Sequence, residues 1–411
     1  MNDFNPTQNP MRYSLCLVLS LIILSAVSSP LSSAEKLTLK KARITVTGHD
    51  VNRPRPYPGR GKFSWAGNVI RLANGNLMFV HTAGYYHVSF AEPRDIEPSL
   101  RKKWLAEGWP LDFKAPTGGR TMRVISPDNG RTWSQPKTII DLPLDDGGYG
   151  LLRAKDETLL CFINIQASWY GYRKAPAKFR KDILGMNSHQ CVIRSTDGGK
   201  TWSKPIYPDS PGDFYQRSHA QPIILPSGTI LWVTYCIDSK WKGEFGVVHR
   251  SNDHGKTWRV RSTVKRKNII VDEPAIAHIG EQELIMICRP DGGRFRSSDE
   301  GRTWVEEKAI GKVADRLKAP RLFVLKDRTV VCACTYRGRL QLLIGRRGGR
   351  EWTKPIMVDP NCYGYPGGIM LEDGTLLVTY NSSGRAPNRV HAVRLKINDK
   401  RTGFDFLAIG K

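Results

Sequence analysis

Acidic, aromatic and arginine side chains recur at matching places in this chain, beside the ends of short apolar segments. Glu273 and Tyr365 each come just before such a segment; Arg289 ends the segment that follows Glu273, and Arg337 ends another. A free tyrosine has a pKa near ~10 and is a poor nucleophile at neutral pH, but a carboxylate such as that of Glu273 can accept its proton. Guanidinium groups bind carboxylates through paired hydrogen bonds. Brought together, these side chains would form a site for an acidic substrate.

The apolar segments are each interrupted by a short turn. Six of them recur, at 68–81, 150–164, 222–236, 274–289, 320–337 and 366–381. Turn residues such as Asn-Gly, Ser-Gly and Asp-Gly stand in the middle of several segments, which is typical of β-hairpins. The sequence therefore predicts six hairpins, and the candidate side chains lie at the open ends of these hairpins.

A second repeat, Ser-x-Asp-x-Gly-x-Thr-Trp, alternates with the hairpins. Four copies occupy 126–133, 195–202, 251–258 and 297–304, at intervals of 69, 56 and 46 residues, and 345–352 is a degenerate fifth copy. Asp and Gly suit a tight turn that needs local hydrogen bonds and positive φ, so we interpret each copy as a structural turn. Hairpin, strand, Asp-rich turn and strand, repeated six times, predict an all-β, six-bladed β-propeller with four-stranded antiparallel blades.

Strand direction assigns the candidate side chains to one face of this propeller. If each hairpin starts at the top, its second strand returns there, whereas the Asp-rich turns lie at the bottom. The upper set comprises Trp65, Arg217, His219, Asp272, Glu273, Arg289, Arg316, Arg321, Arg337, Tyr363 and Tyr365. Because ligands bind where polar groups converge in a concave surface, we predict a site at the upper opening between the inner strands.

The repeats and the candidate residues together resemble the sialidase superfamily over nearly all of the chain beyond residue 34. In that superfamily a glutamate precedes an inner strand and an arginine ends the following strand, as Glu273 and Arg289 do here. Its tyrosine precedes the last inner hairpin, which is the place of Tyr365. The resemblance implies a Tyr365 nucleophile activated by Glu273, and an arginine clamp for the carboxylate of the substrate.

The arginine clamp is only partly recognisable. The superfamily's last arginine has an R-x-x-L setting, which Arg337-Gly-Arg-Leu340 resembles, with Arg339 as the near alternative. Its first arginine belongs to an R-I-P motif, but here that region reads Phe63-Ser-Trp65 and contains no arginine. Trp65 would offer an aromatic face to a sugar ring instead. Since a lost charged hydrogen bond typically costs roughly 1.5–3 kcal/mol, we expect weak or no cleavage of simple sialosides and preference for another acidic sugar.

Other residues could complete the site. Arg217, Arg316 or Arg321 could restore the clamp from a neighbouring blade, and His219 is a further candidate for substrate binding. The superfamily's acid/base aspartate lies in the loop after the first hairpin. That loop is expanded here, and the candidates in it are Asp95, Asp112, Glu92 and Glu97.

Two alternatives from other functional classes remain open. One is a polysaccharide lyase of an anionic glycan, with His219 or a tyrosine of the upper face as the base and arginine neutralising the carboxylate. The other is a non-catalytic glycan-binding propeller, which the missing R-I-P arginine suggests. A lyase would leave an unsaturated sugar that absorbs ultraviolet light, and a binding propeller would release no product.

The formal net charge of +25 indicates attraction to polyanions. No nucleic-acid-binding motif accompanies it, so acidic oligosaccharides or glycoconjugates are the expected partners. Arg12, the apolar stretch 15–27 and Ser32-Ser-Ala34 resemble a secretory signal, which predicts a signal peptide at 1–34 and one propeller domain at 35–411. We therefore expect a secreted or periplasmic monomer that has no stable membrane insertion after cleavage of the signal.

The cysteines are expected to be structural. Cys161, Cys236, Cys288, Cys332 and Cys334 lie in or at the end of the second strands of hairpins, which predicts small buried core residues. No CxxC pair occurs in the sequence, so a zinc site is not expected. The sequence implies no metal and no cofactor.

Overall fold

The hairpins form the inner strands of a six-bladed β-propeller with four-stranded antiparallel blades, as the sequence predicts. The computed structural model describes residues 37–48, 63–84, 102, 106, 119–140, 145–166, 188–212, 215–237, 243–383 and 389–409. The signal peptide predicted at 1–34 lies outside the described residues and stays a prediction. Lys36–Lys411 form one compact unit.

The first half of the chain supplies blades 1 to 3. It begins with helix α1 (Leu39–Ala42) and strand β1 (Ile44–Gly48). Blade 1 comprises β2 (Phe63–Arg71), β3 (Leu77–Gly84), β4 (Gly119–Ser126) and β5 (Lys137–Ile140). Blade 2 comprises β6 (Asp145–Arg153), β7 (Leu159–Gln166) and β8 (Ser188–Ser195), with Ile206 bridged to Val192 at its outer edge. Blade 3 comprises β9 (Tyr215–Arg217), β10 (Ile223–Ile224), β11 (Ile230–Ile237), β12 (Phe245–Ser251) and β13 (Arg259–Val264).

The second half supplies blades 4 to 6. Blade 4 comprises β14 (Asp272–Gly280), β15 (Glu283–Arg289), β16 (Gly293–Ser297) and β17 (Val305–Glu307). A 3-10 helix (Val313–Asp315) leads to blade 5, with β18 (Lys318–Val324), β19 (Val330–Tyr336), β20 (Arg339–Gly345), the helical turn α2 (Arg346–Gly349), β21 (Glu351–Trp352) and β22 (Ile356–Asp359). Blade 6 comprises β23 (Cys362–Met370), β24 (Leu376–Ser382), β25 (Arg389–Ile397) and β26 (Phe404–Leu407).

The N-terminal strand joins the last blade. β1 pairs antiparallel with β25, so the two ends of the described chain meet in blade 6. The guanidinium of Arg43 donates to Asp359 Oδ2 at 2.9 Å, and the hydroxyl of Tyr380 donates to the same oxygen at 2.9 Å. Because Asp359 ends β22 of blade 5 and is buried, this hydrogen-bonded ion pair fixes the entering chain at the contact between blades 5 and 6.

The Asp-rich repeats are turns, as predicted. In the first copy, Asp128 Oδ1 accepts from the hydroxyl of Ser126 at 2.9 Å and from the amide of Thr132 at 2.8 Å. Gly130 has a φ of 91°, and its amide donates to Ser126 Oγ at 2.8 Å. The indole of Trp133 donates to the Gly130 carbonyl at 2.9 Å while its ring packs against the core of the first and last blades. The motif therefore satisfies its own polar groups and supplies one apolar ring to the core.

The core consists of the apolar faces of adjacent blades. All seven described cysteines are buried and free, which confirms the prediction made for five of them. Within the described part of the chain, no helix combines the length and apolar character needed to cross a membrane.

Candidate active site

Irregular registers interrupt the inner strands near the upper ends of the blades. They fall at Ala66–Val69 in β2, Gly148–Gly150 in β6, Asp272–Ala275 in β14, Lys318–Arg321 in β18 and Gly364–Gly367 in β23. In blade 3 the inner strand is broken between β9 and β10. Such bulges re-aim side chains, and these place Tyr149, His219, Glu273, Ala319 and Tyr365 in one cluster.

Three of these bulged residues share an unusual backbone conformation. Glu273, Ala319 and Tyr365 have φ values of 46°, 44° and 54°, and each directly precedes a proline. A residue before proline ordinarily adopts extended backbone, and a left-handed conformation costs about 1–3 kcal/mol outside glycine. Blades 4, 5 and 6 therefore use the same strained backbone to direct a residue into the site.

Tyr365 and Glu273 form a direct hydrogen bond. The Tyr365 hydroxyl donates to Glu273 Oε1 at 2.8 Å. Burial of the ring, together with the charge of Glu273 and this hydrogen bond, raises the pKa of Tyr365 well above its ordinary value. The tyrosine is therefore neutral at rest and already aligned to give its proton to the carboxylate.

The Glu273 carboxylate is held by groups from two other elements. The amide of Ala319 donates to Oε2 at 2.7 Å, and Arg289 Nη1 donates to Oε1 at 3.4 Å. Arg289 Nη1 also lies 3.0 Å from Asp272 Oδ2. Glu273 itself is buried, so backbone and guanidinium donors replace the water that would otherwise solvate it.

The charges around Arg289 are interdependent. Burial, reinforced by the charges of Glu273 and Glu244, raises the pKa of Asp272 to about 9. Burial opposes the charge of Arg289, but the neighbouring Glu273 and Asp272 carboxyls outweigh it and raise the pKa of the guanidinium. The Arg289 side chain is 32% exposed, so it can still reach a ligand.

Aromatic rings form a wall beside Tyr365. The His219 ring meets Tyr365 and Tyr149 edge to face, with centroids 5.3 and 5.1 Å apart. Tyr363 stacks on Tyr365 at 5.7 Å, and Tyr235 lies under His219 at 6.1 Å. Burial lowers the pKa of His219 to about 4, so the imidazole is neutral at neutral pH although its Nε2 lies 3.9 Å from Glu273 Oε1. Flat, mostly uncharged surfaces of this kind suit the faces of sugar rings.

Close backbone packing joins the inner strands next to this cluster. A Cβ atom on Gly367 of blade 6 would lie 1.9 Å from the carbonyl oxygen of Gly67 in blade 1. A Cβ atom on Gly67 would in turn lie 2.7 Å from the carbonyl oxygen of Gly148 in blade 2. Only glycine permits such approach, and the contacts fix the blades that carry Tyr149 and Tyr365 relative to each other.

Of the residues predicted from sequence, the structure brings Tyr365, Glu273, Arg289 and His219 together. Arg337 is placed differently: its Nε and Nη2 donate to Asp315 Oδ1 at 2.9 and 2.8 Å, and its side chain is 68% exposed. Arg337 has a φ of 49° in the turn after β19, and its amide donates to the Asp315 carbonyl. This backbone conformation directs the Arg337 side chain outward.

Arg321 also lies apart from this cluster. It comes after the bulge of β18, donates to the Gly368 carbonyl at 3.0 Å and lies over the ring of Phe323 at 5.1 Å. Burial lowers its pKa to about 9. Trp65 pairs through its backbone with Thr82, but its side chain lies outside the described part of the structure, as do Asp95 and Asp112. The roles assigned to these residues stay predictions.

Sequence reasoning missed three members of the cluster. Tyr149 stands between glycines in Gly147-Gly148-Tyr149-Gly150, directly before a hairpin, which could have marked it. Ala319 shares the dipeptide X-Pro with Glu273 and Tyr365, but an alanine carries no chemical signal because its contribution is the backbone amide. Tyr235 lies within an apolar strand, where nothing distinguishes it from core. Among the described residues, no group of three or more His, Cys, Asp and Glu side chains is arranged to hold a metal ion.

Comparison with known proteins places this geometry in context. A family model described as the BNR repeat-like domain matches residues 150–378. A curated relative, a sialidase of Bacteroides fragilis (strain YCH46), is 26% identical over 309 residues, which are 66% of this chain and 55% of the relative. The chain thus spans about half the length of the curated relative that it matches.

Solved structures show the same fold. A mutant of the NanB sialidase from Streptococcus pneumoniae has a TM-score of 0.60 and 12% identity, covering 87% of this chain and 71% of that one. An α-L-arabinanase from Penicillium chrysogenum, solved with arabinobiose, has a TM-score of 0.53 and 15% identity, covering 85% of this chain and 97% of that one. By themselves these likenesses show the fold; together with the family model and the curated relative they support the resemblance to the sialidase superfamily that the sequence suggested.

Proposed function

This chain belongs to the BNR repeat-like domain family, and we propose that it is a sialidase-like exo-glycoside hydrolase of an acidic glycan. The observation that carries the proposal is the 2.8 Å hydrogen bond from the Tyr365 hydroxyl to Glu273. A buried tyrosine needs a base before it can attack carbon, and a buried carboxylate held by Ala319 and Arg289 is a base in fixed orientation.

The proposed reaction is a double displacement. Tyr365 Oη attacks the anomeric carbon as its proton passes to Glu273, and the bond to the leaving oxygen breaks. An acid protonates that oxygen, for which Asp112 and Asp95 are the candidates from sequence. Water then attacks the anomeric carbon while the group that acted as the acid takes its proton, the tyrosyl–sugar bond breaks, and Glu273 returns its proton to Tyr365. The buried neutral tyrosine avoids the repulsion that a carboxylate nucleophile would meet from an anionic sugar.

Charge supports the acidic character of the substrate. Arg289 is partly exposed beside the nucleophile and can donate to a carboxylate. The net charge of +25 favours the approach of anionic glycans over long distances. With the signal sequence predicted at 1–34, we propose that the protein meets such glycans outside the cytoplasm, as a secreted or periplasmic protein.

A lyase is the second candidate, and the position of His219 favours it. The neutral imidazole lies within ring contact of Tyr365, where a base could remove a proton from the carbon next to a carboxylate. In that reaction the C–H electrons form a C=C bond as the glycosidic oxygen leaves. The product carries the double bond, which a hydrolase product lacks.

Product analysis tests the proposal. Residues 35–411 are incubated with a panel of acidic oligosaccharides, and the products are identified by mass and ultraviolet absorbance. We expect a released monosaccharide whose mass shows that one water molecule was added across the cleaved bond, with no new ultraviolet absorbance. We expect Tyr365→Phe to abolish this release. Tyr207→Phe is the matched control, because Tyr207 is 36% exposed and packs against His189 rather than in this cluster. An absorbing product would identify a lyase, and binding without any product would identify a binding propeller.

A further inference from the structure

Cationic side chains are concentrated at the upper end of blade 5. Four of them are exposed and one is half-buried: Lys312, Arg316, Lys318, Arg337 and Arg339. They occupy the 3-10 helix region, the start of β18 and the turn between β19 and β20. These segments touch one another, because the amide of Arg337 donates to the Asp315 carbonyl at 2.8 Å.

The buried carboxylate among these cations does not neutralise them. Asp315 Oδ1 accepts both hydrogen bonds from Arg337, while its Oδ2 accepts from the amide of Lys312 at 2.9 Å. Arg337 is therefore engaged by Asp315. Arg316, Lys318 and Arg339 remain as a group of like charges, which we call the blade 5 rim.

The blade 5 rim directly adjoins the Tyr365–Glu273 pair. Lys318 is followed by Ala319, whose amide donates to Glu273 Oε2 at 2.7 Å. Lys318 pairs across the sheet with Thr335, and Thr335 Oγ1 accepts from the amide of Tyr365 at 3.1 Å. Lys318 is therefore connected to the Tyr365–Glu273 pair by two short paths, one through the Ala319 amide and one through the Thr335 hydroxyl.

Charge recognition inside the pocket is limited by comparison. Arg289 is shared between Glu273 and Asp272, and the wall beside Tyr365 consists of Tyr149, Tyr363 and the neutral His219. Between Glu273 and Lys318, blade 5 contributes the backbone amide of Ala319 and no charged side chain.

We propose that Arg316, Lys318 and Arg339 form a subsite for an anionic group, a carboxylate or a sulfate, on the sugar that adjoins the reacting ring. The proposal rests on the proposed hydrolase function, which places the reacting sugar at Tyr365 and the adjoining sugar of the glycan towards the rim. It adds that the anionic character of the substrate is read outside the pocket, while the reacting ring is held mainly against aromatic surfaces.

Binding and hydrolysis are measured separately to test this. Binding uses the Tyr365→Phe variant, titrated with three hexasaccharides: hyaluronan as the carboxylated probe, chondroitin 4-sulfate as the carboxylated and sulfated probe, and chitohexaose as the uncharged probe. The rim variant carries Arg316→Gln, Lys318→Gln and Arg339→Gln. The matched control carries Arg131→Gln, Lys200→Gln and Lys256→Gln, which remove the same charge from exposed Asp-rich turns at the opposite end.

We expect the rim variant to bind at least one anionic hexasaccharide at least about fivefold more weakly than the control variant, with a shallower dependence on salt. Binding of chitohexaose should be equal in both. Preference between the two anionic probes distinguishes a sulfate subsite from a carboxylate subsite. Equal affinities of rim and control variants, or no anionic preference over chitohexaose, would overturn the subsite.

The two proposals fail in different ways. If the enzyme with an intact Tyr365 releases no product but shows rim-dependent binding, the hydrolase is wrong and the anion subsite stands. If product is released and the rim variant matches the control on anionic chains, the subsite is wrong and the hydrolase stands.

Discussion

The hydrogen bond between Tyr365 and Glu273 can be tested as a coupled pair. The variants are Tyr365→Phe, Glu273→Gln and the double variant, which together form a double-mutant cycle. Phe keeps the ring that stacks on Tyr363, and Gln keeps an oxygen for the Ala319 amide. Tyr365→Phe therefore removes the 2.8 Å contact, and Glu273→Gln removes the charge and the proton acceptor, while most of the surroundings stay in place.

The expected coupling in stability follows from the chemistry of that contact. A hydrogen bond to a charged group contributes about 1.5–3 kcal/mol, and both partners here are buried enough for the upper part of that range. We expect a coupling free energy of about 1.5–3 kcal/mol from urea unfolding of the four proteins. All four should remain folded, because Glu273 or its replacement retains the Ala319 donor.

The expected coupling in activity is stronger. Loss of a general base lowers turnover by about 10²–10⁴-fold, and loss of the nucleophile should cost at least as much. Because the two groups act in one proton transfer, the double variant should be no slower than the Tyr365→Phe variant. Turnover of the substrate identified from the panel measures this. If the fold-losses of turnover in the two single variants multiply in the double variant, or if the coupling free energy is below about 0.5 kcal/mol, the pair does not act as a unit.

Three further outcomes are expected. A double displacement through Tyr365 should release the sugar with its original anomeric configuration, which proton NMR of the first product will show, and an inverted product would rule out the covalent step. Burial lowers the pKa values of His81, His219 and His249 to about 3, 4 and 3, below the ordinary value of 6.5. Below pH 6.5 the unfolded state therefore binds more protons than the folded state. The free energy of unfolding should fall as pH drops from 6.5 towards 4, by up to about 1.4 kcal/mol per histidine and pH unit. Urea unfolding at pH 7 and pH 5 measures this, and equal stabilities at the two pH values would contradict it. Ala319 has a φ of 44°, so Ala319→Gly should keep both stability and turnover. Ala319→Val should lower the free energy of unfolding by about 1–3 kcal/mol and reduce turnover, because it displaces the amide that holds Glu273. Equal stability and turnover of the two variants would refute the role of that backbone.

The fold was predictable because its signals are local. Alternation of apolar hairpins with Ser-x-Asp-x-Gly-x-Thr-Trp turns needs only short-range physics, and the turn in the first copy is satisfied by its own side chains. Strand direction then placed Glu273 and Tyr365 on one face, and the structure joins them at 2.8 Å. Periodicity and chain direction were sufficient for these two residues since both precede inner strands.

The positions of the arginines were less accessible to sequence reasoning. Arg337 comes at the end of a second strand just as Arg289 does, yet one points to Asp315 at the rim and the other to Glu273. The difference arises from a left-handed backbone at Arg337 and a nearby buried aspartate that belongs to another segment. The direction of a side chain at a turn depends on such tertiary partners, and a linear pattern does not contain them.

The site is assembled from different kinds of group contributed by consecutive blades. Blade 4 gives a carboxylate, blade 5 gives a backbone amide and blade 6 gives a phenol, all through the same pre-proline bulge. The alanine of blade 5 contributes only its backbone amide to this hydrogen-bond network. Blade 6 also pairs with the N-terminal strand, and its Tyr380 shares Asp359 of blade 5 with Arg43. Since a 2.8 Å bond between blades 4 and 6 tolerates little relative movement, closure of the ring at blade 6 is itself a condition for positioning the nucleophile.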